Sequence, residues 1–439
     1  MSIALLFAAF FVLIFIGVPI AVALGASVLL SAMLFSPMPL TILGQKVYAH
    51  LDHFPLMAVP FFFLAAAFME RGDIVRRLVD LATRLVGHFP GGLGMTAILA
   101  CMFFAAISGS SAATVAAVGG IMFPALVKAG YTPHYAIGAV STAGAIGILI
   151  PPSIPLILYG FITETSIPKL FMAGIVPGLV YGLLMMILAN RLAIRQRYSP
   201  MPAATWAERG RSLRDAGPAL GLPLLLIVGI YGFPAFEAFG MQFAGGAIFT
   251  PTEAAIACSV FALAVGIFVY RRLTLYGVVE TVVATTPRIG MIFWIIVNAV
   301  LFGFYLAQQG VPDTVARWLV EMNMPPWLFL LLVNLVLVVV GLFMDGIPVI
   351  LMFMPVLFPA AQAMGVDPIH FGVIVVVNIE LGLVTPPVGV NLYVGSTISN
   401  MPIHEVFRAC LPWIAVDVIM LLLVTYVPFL STFLPGLMG

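Results

Sequence analysis

Charge is what this sequence has least of. Asp, Glu, Lys and Arg make up 8% of the 439 residues, against about 25% in an ordinary soluble domain. The 17 acidic and 18 basic residues nearly cancel, leaving a formal net charge of +1, so nothing points to nucleic acid or to any partner of one charge sign. Cysteine is almost missing. Cys101, Cys258 and Cys410 stand alone in apolar runs, which excludes a disulfide framework and a thiolate metal site. None of the 6 histidines lies in the middle of an apolar run. A basic N-terminal region is absent too: Met1 to Leu34 is too long and too apolar for a cleaved leader and reads as a retained membrane helix. What fills the chain is apolar: 63% of residues are hydrophobic and the mean hydropathy is +1.18. The fold class is an all-α polytopic membrane protein.

Two polar or helix-breaking runs interrupt the apolar background, Ser108 to Thr114 and Gly147 to Ser153. In hydrocarbon an unpaired backbone group costs several kcal/mol, so a helix breaks at membrane depth only where it is buried in protein or lines a wet cavity. Both breaks recur. Pro124, Gly130, Pro133, Gly147, Pro151, Pro152 and Gly160 are repeated at Pro359, Gly365, Pro368, Gly382, Pro386, Pro387 and Gly395, always at an offset of 235 (386 − 151). The chain is therefore two copies of one unit, each with a hairpin followed by a broken helix. Matched interrupted segments in two halves are the best pointer in a sequence to a transporter's binding site.

The expected domains are a first repeat over 1–190 (hairpin about 91–127, broken helix about 134–160), a linker over 191–216, and a second repeat over 217–439 (hairpin about 326–364, broken helix about 370–396). A first helix is expected from about Ile3 to Phe35, followed by a polar connection with Lys46, His50 and Asp52 and a span over Leu56 to Met69. Further spans are expected at Ile167 to Leu192, Pro218 to Pro234, Thr250 to Tyr270, Pro287 to Ala307 and Val406 to Leu434. Asp73 to Gly87 and Val311 to Met322 each carry apolar residues on one helical face, as interfacial helices do. If the hairpins re-enter and the other long spans cross, an odd number of crossings separates the repeats, which makes them inverted. With the arginine-rich linker in the cytoplasm, only Lys46, Lys169 and Arg317 of the 18 Lys and Arg fall outside, in keeping with the positive-inside rule. This reading puts the N-terminus inside and the C-terminus outside.

The runs Ser108-Gly109-Ser110-Ser111-Ala112-Ala113-Thr114, Gly147 to Pro155, Phe343-Met344-Asp345-Gly346, Asp367 to Ile374, Thr385-Pro386-Pro387-Val388-Gly389 and Pro251 to Ala255 resemble the large membrane subunit of tripartite ATP-independent periplasmic (TRAP) transporters. The resemblance covers essentially the whole chain. It implies two inverted repeats moving as an elevator, similar to the ion transporter superfamily. It implies sodium-driven uptake of an organic acid across the bacterial inner membrane, with no organic cofactor. It implies two partners, a small membrane subunit and a periplasmic solute-binding receptor. The small subunit is expected to be a separate chain, since this sequence begins directly with the large one.

Unwound carbonyls and half-helix C-terminal ends suit a cation, and half-helix N-termini suit an anionic group. Sodium, a hard cation, wants oxygen ligands. The candidate sodium residues are Gly109, Ser110, Ser111, Gly147, Ile150 and Pro152 in the first repeat, and Asp345, Gly346, Thr385, Pro387 and Gly389 in the second. The resemblance supplies the placing of Asp345, Thr385, Pro387 and Gly389. The substrate candidates are Ser110, Ser153, Asp345, Asn378 and Asn391. Each has a plainer reading: small hydroxyl residues let membrane helices approach, and Asp345 is placed to cap a helix. Asn378 and Glu380 are two apart and do not share a helical face, so one faces the site and the other does not. Thr250 to Glu253 is a capping box, and His134 and His370 read as structural.

Two rivals stand beside a partnered transporter. A stand-alone sodium–anion symporter of similar build has the same composition and differs only in needing no receptor. An intramembrane protease fits the form Gly109-Ser110-Ser111-Ala112, yet no histidine is placed to activate a serine, and Asp345 has no evident mate for aspartyl chemistry.

Overall fold

The computed structural model describes residues 2–35, 39–232, 236–238, 241–243 and 246–437; the outermost bounds of the two repeats, Met1 and Gly439, and the expected span end at Pro234 lie outside them. Helix α1 (Ser2–Phe15) and α2 (Ile20–Phe35) form a helical hairpin. The single helix expected over Ile3 to Phe35 is corrected: Gly17 sits at φ 90 and Pro19 follows it, a turn that no continuous helix passes through. The expected polar connection is also helical, as α3 (Leu40–Leu51), and a 3-10 turn at Phe54–Met57 leads into α4 (Ala58–Arg71). The interfacial helix α5 (Ile74–Val86) buries Ile74, Val75, Leu78, Val79, Leu81 and Ala82 on one face.

The first hairpin is α6 (Gly92–Ser108) and α7 (Ser111–Lys128). The first broken helix is α8 (Pro133–Ala143) with a 3-10 extension to Ile148, then α9 (Ile154–Thr163). After α10 (Ile167–Gln196) comes α11 (Trp206–Tyr231). The linker expected over 191–216 is thus mostly helical, and only 197–205 connects the two helices. Thr205 and Glu208 make a capping box that starts α11 well before Pro218, and Pro218 and Pro223 lie inside it.

A short ribbon, β1 (Phe236–Ala238) with β2 (Met241–Phe243), precedes α12 (Pro251–Ala264), which continues as a π-helical turn to Val269. Helix α13 (Leu275–Gln308) has 34 residues and contains Pro287 rather than starting there. The interfacial α14 (Val311–Glu321) leads to the second hairpin, α15 (Pro326–Gly341) and α16 (Gly346–Ala363). The second broken helix is α17 (Pro368–Leu383) with α18 (Val390–Ser399). The chain ends in α19 (Ile403–Tyr426) and α20 (Phe429–Gly436), divided at Pro428 where one span was expected.

The repeat is visible in helix ends as well as in prolines. Shifting Ser111–Lys128 by 235 gives Gly346–Ala363, and shifting Pro133–Ile148 gives Pro368–Leu383, each an observed helical segment. The Pro151–Pro152 and Pro386–Pro387 bonds are both cis. Thr132 and Asp367 hold matching N-cap positions, which answer the orphan amides of a helix start.

The helices pack as two groups. Helices α2, α4, α11, α12 and α13 pack on one another. The hairpins and broken helices form the second group with α10, α19 and α20. The interfacial helices join the groups, α5 between α11 and α6, and α14 between α13 and α16. The result is a polytopic helical fold with two inverted repeats, divided into a frame and a hairpin-bearing body.

Candidate functional site

The two hairpin tips meet at one cavity of about 100 Å³. Its wall is made almost wholly of helix ends. The starts of α7 (Ser111), α9 (Ile154), α16 (Gly346) and α18 (Val390) line it, together with the C-cap of α6 (Gly109) and the ends of the segments closing at Ile148 and Leu383. Phe63 of α4 is the frame's contribution.

The first tip is built by its own hydroxyls. Gly109 closes α6 at φ 59, with the Pro152 carbonyl 2.5 Å from where a Cβ would stand. The Thr114 hydroxyl donates to the Ser110 carbonyl at 2.8 Å and lies 3.0 Å from the Ser108 hydroxyl. The Ser110 side chain accepts from the Ala113 amide at 3.5 Å and so caps α7. Gly147 lets the broken helix come against this tip: a Cβ there would lie 2.7 Å from Thr114 Oγ1 and 3.0 Å from the Ser110 carbonyl. Ile150 packs on Gly178. Ser153 is buried; its hydroxyl donates to the Ile148 carbonyl at 2.5 Å and accepts from the Leu156 amide, capping α9.

The second tip keeps the backbone and changes the side chains. Asp345 takes the N-cap position of α16, but its carboxylate makes no capping bond and stands exposed on the cavity. Gly346 is buried against Ile379. Gly382 repeats the close approach of Gly147, here directly on the Gly341 backbone, whose carbonyl oxygen would lie 2.8 Å from a Cβ placed on Gly382. The Thr385 hydroxyl donates to the Leu381 carbonyl at 2.6 Å. Pro387 is exposed, and Gly389 starts α18 at φ 46, with the Thr385 carbonyl 3.0 Å from a Cβ placed there.

Asn378 and Asn391 part company. Asn378 donates to Asn334 Oδ1 at 2.6 Å, and Asn334 donates to Thr425 at 2.8 Å, a chain joining α17, α15 and α19 that does not line the cavity. Asn391 reaches across the repeats: its Nδ2 donates to Ser111 Oγ at 2.8 Å and to the Ser141 carbonyl at 3.2 Å. Glu380 does not line the cavity either, but two residues that do, Ser111 by its hydroxyl and Ile148 by its backbone, face its carboxylate. His370 is buried and held by Ser431 at 2.7 Å, a packing role. The Thr250–Glu253 capping box is formed, and Thr252 bonds the Phe54 carbonyl at 3.1 Å.

Residues 7–430 match the family model described as "Tripartite ATP-independent periplasmic transporter, DctM component". The chain belongs to this family. It is similar to the C4-dicarboxylate TRAP transporter large permease protein DctM of Pseudomonas aeruginosa, 44% identical over 95% of this chain and 94% of that one. It is also similar to the isethionate TRAP transporter permease protein DctMQ of Oleidesulfovibrio alaskensis, 39% identical over 98% of this chain and 66% of that protein. The sialic acid TRAP transporter large permease protein SiaM of Vibrio cholerae is 34% identical over 97% and 96%. Among solved structures, the YdaH transporter of Alcanivorax borkumensis shares the fold at a TM-score of 0.63 and 17% identity, covering 91% of this chain and 89% of that one. These relatives are transporter permeases, and the TRAP permease described here is a membrane transporter and not an enzyme.

Two features of the permease were not drawn from its sequence. Asp417, a lone acid in the apolar run Ala409 to Val424, is buried and accepts from the Tyr181 hydroxyl; its isolation in that run was the available signal. The four-way convergence of helix starts needed the third dimension.

Proposed function

We propose that the permease performs sodium-coupled uptake of an organic carboxylate, with a periplasmic receptor delivering the substrate and a small membrane subunit completing the frame. The observation that carries this reading is the lining of the central cavity. Four half-helix starts turn the positive ends of their dipoles toward one small space, an arrangement suited to an anion. Beside them, the ends of α6 and α17 and the breaks at Leu149 to Pro152 and Val384 to Val388 offer carbonyls to a hard cation. Ser110, Ser111, Gly147, Ile150 and Pro152 serve one sodium, and Asp345, Gly346, Thr385, Pro387 and Gly389 the other. Anion and cations then neutralise each other where the membrane makes bare charge costly. C4-dicarboxylate, isethionate and sialic acid, named for the relatives, are all organic acids.

In this reading the hairpin-bearing body moves against the frame, with α5 and α14 as the arms that allow it. Placing the 197–205 connection, with the flanking Arg191, Arg195, Arg209, Arg211 and Arg214, in the cytoplasm orients the rest. Ser2 bonds Gln309 at the end of α13, and Lys46 lies over the Phe304 ring near that same end. In this reading the N-terminus lies on the outer side with Lys46, where the sequence was expected to start in the cytoplasm. The reversal at Gly17 is the physical reason.

The test is uptake into liposomes by the permease with its small subunit, with and without the receptor. A sodium gradient should drive accumulation of an organic acid only when the receptor is present. Equal uptake without it would favour the stand-alone symporter, and uptake indifferent to sodium would end the coupling proposal.

A further inference from the structure

Next to the cavity lies a second polar group with no counterpart in the fold's symmetry. Helices α10, α17 and α19 pack on one another and bring together Tyr181, Glu380 and Asp417. Glu380 is 1% exposed and Asp417 3% exposed. The Tyr181 hydroxyl donates to Asp417 Oδ1, Asp417 Oδ2 has no hydrogen-bond partner among the described residues, and the Glu380 carboxylate has only the Ser111 hydroxyl and the Ile148 backbone beside it, neither in good hydrogen-bond geometry. No Lys, Arg or His among the described residues pairs with either acid. A second set of orphans adjoins them. Asn391 and Ser141 are both 0% exposed, Asn391 spends its amide hydrogens on Ser111 and Ser141, and Asn391 Oδ1 and Ser141 Oγ are left unpartnered.

An unpaired buried carboxylate is among the most expensive groups a membrane protein can hold. The fold does not require these two. At the 235 offset Glu380 corresponds to Ala145, Asp417 to Gly182, Asn391 to Leu156 and Ser141 to Val376, all apolar or glycine and all compatible with the same helices. What the cluster lacks is a positive centre, and what it offers is oxygen: two carboxylates, one carboxamide and one hydroxyl. That donor set suits a hard cation.

We propose that Glu380 and Asp417, with Asn391 and Ser141, form a buried alkali-cation site additional to the two at the hairpin tips. The proposal rests on the sodium-coupled reading of the permease. Ser111 ties this site to the cavity, since it lines the cavity, faces Glu380 and bonds Asn391. Occupation of one is thereby felt at the other, and the coupling is reciprocal.

The experiment counts sodium ions. The complete complex, permease with small subunit, is purified, and radioactive sodium binding is measured at equilibrium for wild type, Glu380→Gln, Asp417→Asn and Ser141→Ala. Glu380→Gln and Asp417→Asn should each bind one ion fewer than wild type. Ser141→Ala, which keeps both carboxylates, should bind the same number with roughly fivefold weaker affinity for the last ion. In liposomes, the sodium-to-substrate ratio from the membrane potential that halts net uptake should fall by one in the two carboxylate variants. Wild-type ion counts in both carboxylate variants would overturn the proposal. So would variants that lose dependence on a proton gradient while binding sodium as wild type does, because the pair would then hold a proton. If wild type itself binds no sodium, the broader functional reading fails. Sodium-dependent wild type with unchanged variants sinks only the added site. Ser141→Ala serves where a carboxylate variant does not fold, and an unchanged affinity there counts against the site.

Discussion

At the first hairpin tip Ser108, Ser110 and Thr114 spend their hydroxyls on one another and on the local backbone; at the second, Phe343, Asp345 and Val349 stand in the same register and no side chain caps α16. The helix starts Ser111 and Gly346 coincide under the 235 offset, as do the glycines that admit the broken helices. The backbone was therefore kept where it builds the cavity, and the side chains were free to diverge. One tip is neutral and self-satisfied. The other presents a carboxylate that caps no helix. A cation at the first tip relies on carbonyls and hydroxyls, whereas one at the second meets formal charge, so the second should dominate the sodium dependence.

The sharpest way to break this contrast is Asp345→Asn. The change keeps the shape and removes the only acid that lines the cavity among the described residues. Losing a charge-assisted interaction of about 3 kcal/mol corresponds to roughly a hundredfold, so the sodium concentration for half-maximal uptake should rise by about that factor. Sodium titration of uptake in liposomes measures it. A shift smaller than that of Ser110→Ala would reverse the ranking of the tips.

Next comes the matched glycine pair, which tests the shared backbone. Gly382→Ala would push a Cβ to 2.8–2.9 Å from the oxygen and both carbons of the Gly341 backbone, whereas Gly147→Ala first meets the Thr114 side chain at 2.7 Å. Overpacking costs about 1–3 kcal/mol. A hydroxyl turns aside more readily than a backbone, so Gly382→Ala should lower the unfolding temperature further. Thermal unfolding of the purified complex decides it, and an equal loss would mean that the Ser110 carbonyl beneath Gly147 is as unyielding as Gly341.

How much of this was open to sequence reading differs by feature. Proline and glycine at a constant offset located both hairpins and both breaks, because those residues act through local backbone geometry that sequence order preserves. The reversal at Gly17 went unread although its cue, Gly17 followed by Pro19, was present; the surrounding apolar run looked like one long span. Pro287 was misread as a helix start, since inside α13 the packing of a 34-residue helix outweighs one missing amide. Thr205 and Glu208 carried a readable capping box that moves the start of α11 into the supposed linker. The roles of Asn378 and Glu380 were beyond reach, because which side of α17 meets the cavity depends on how α15 and α19 pack around it.

Thr385→Val sharpens the contrast at smaller scale. The hydroxyl donates to the Leu381 carbonyl at 2.6 Å, and valine keeps its volume without its oxygen. The loss of one neutral oxygen, about 1 kcal/mol, should raise the half-maximal sodium concentration about fivefold, well short of Asp345→Asn. Ser110→Ala should have an effect of the same order, because its carbonyl, already accepting from Thr114, remains in place. Sodium titrations of both variants on one membrane preparation give the comparison directly.

The smallest effect is expected of Asn378→Ala, on the face of α17 away from the cavity. Its amide joins Asn334, which itself holds Thr425, so the chain ties three helices of the hairpin-bearing body together without touching either tip. Hydrogen bonds between membrane helices contribute about 0.6 kcal/mol on average, because the separated helices find other partners in the membrane. Asn334 also keeps its bond to Thr425 after the change, which limits the loss further. The unfolding temperature should fall slightly, and the sodium and substrate dependence of uptake should stay within about twofold of wild type, a free-energy change under ~0.5 kcal/mol. Asn378 was a substrate candidate by sequence, so the measurement has a clear opposite. A tenfold loss of apparent substrate affinity, with normal unfolding, would mean that α17 turns this face to the cavity during transport and that the contrast between its two sides belongs to one conformation only.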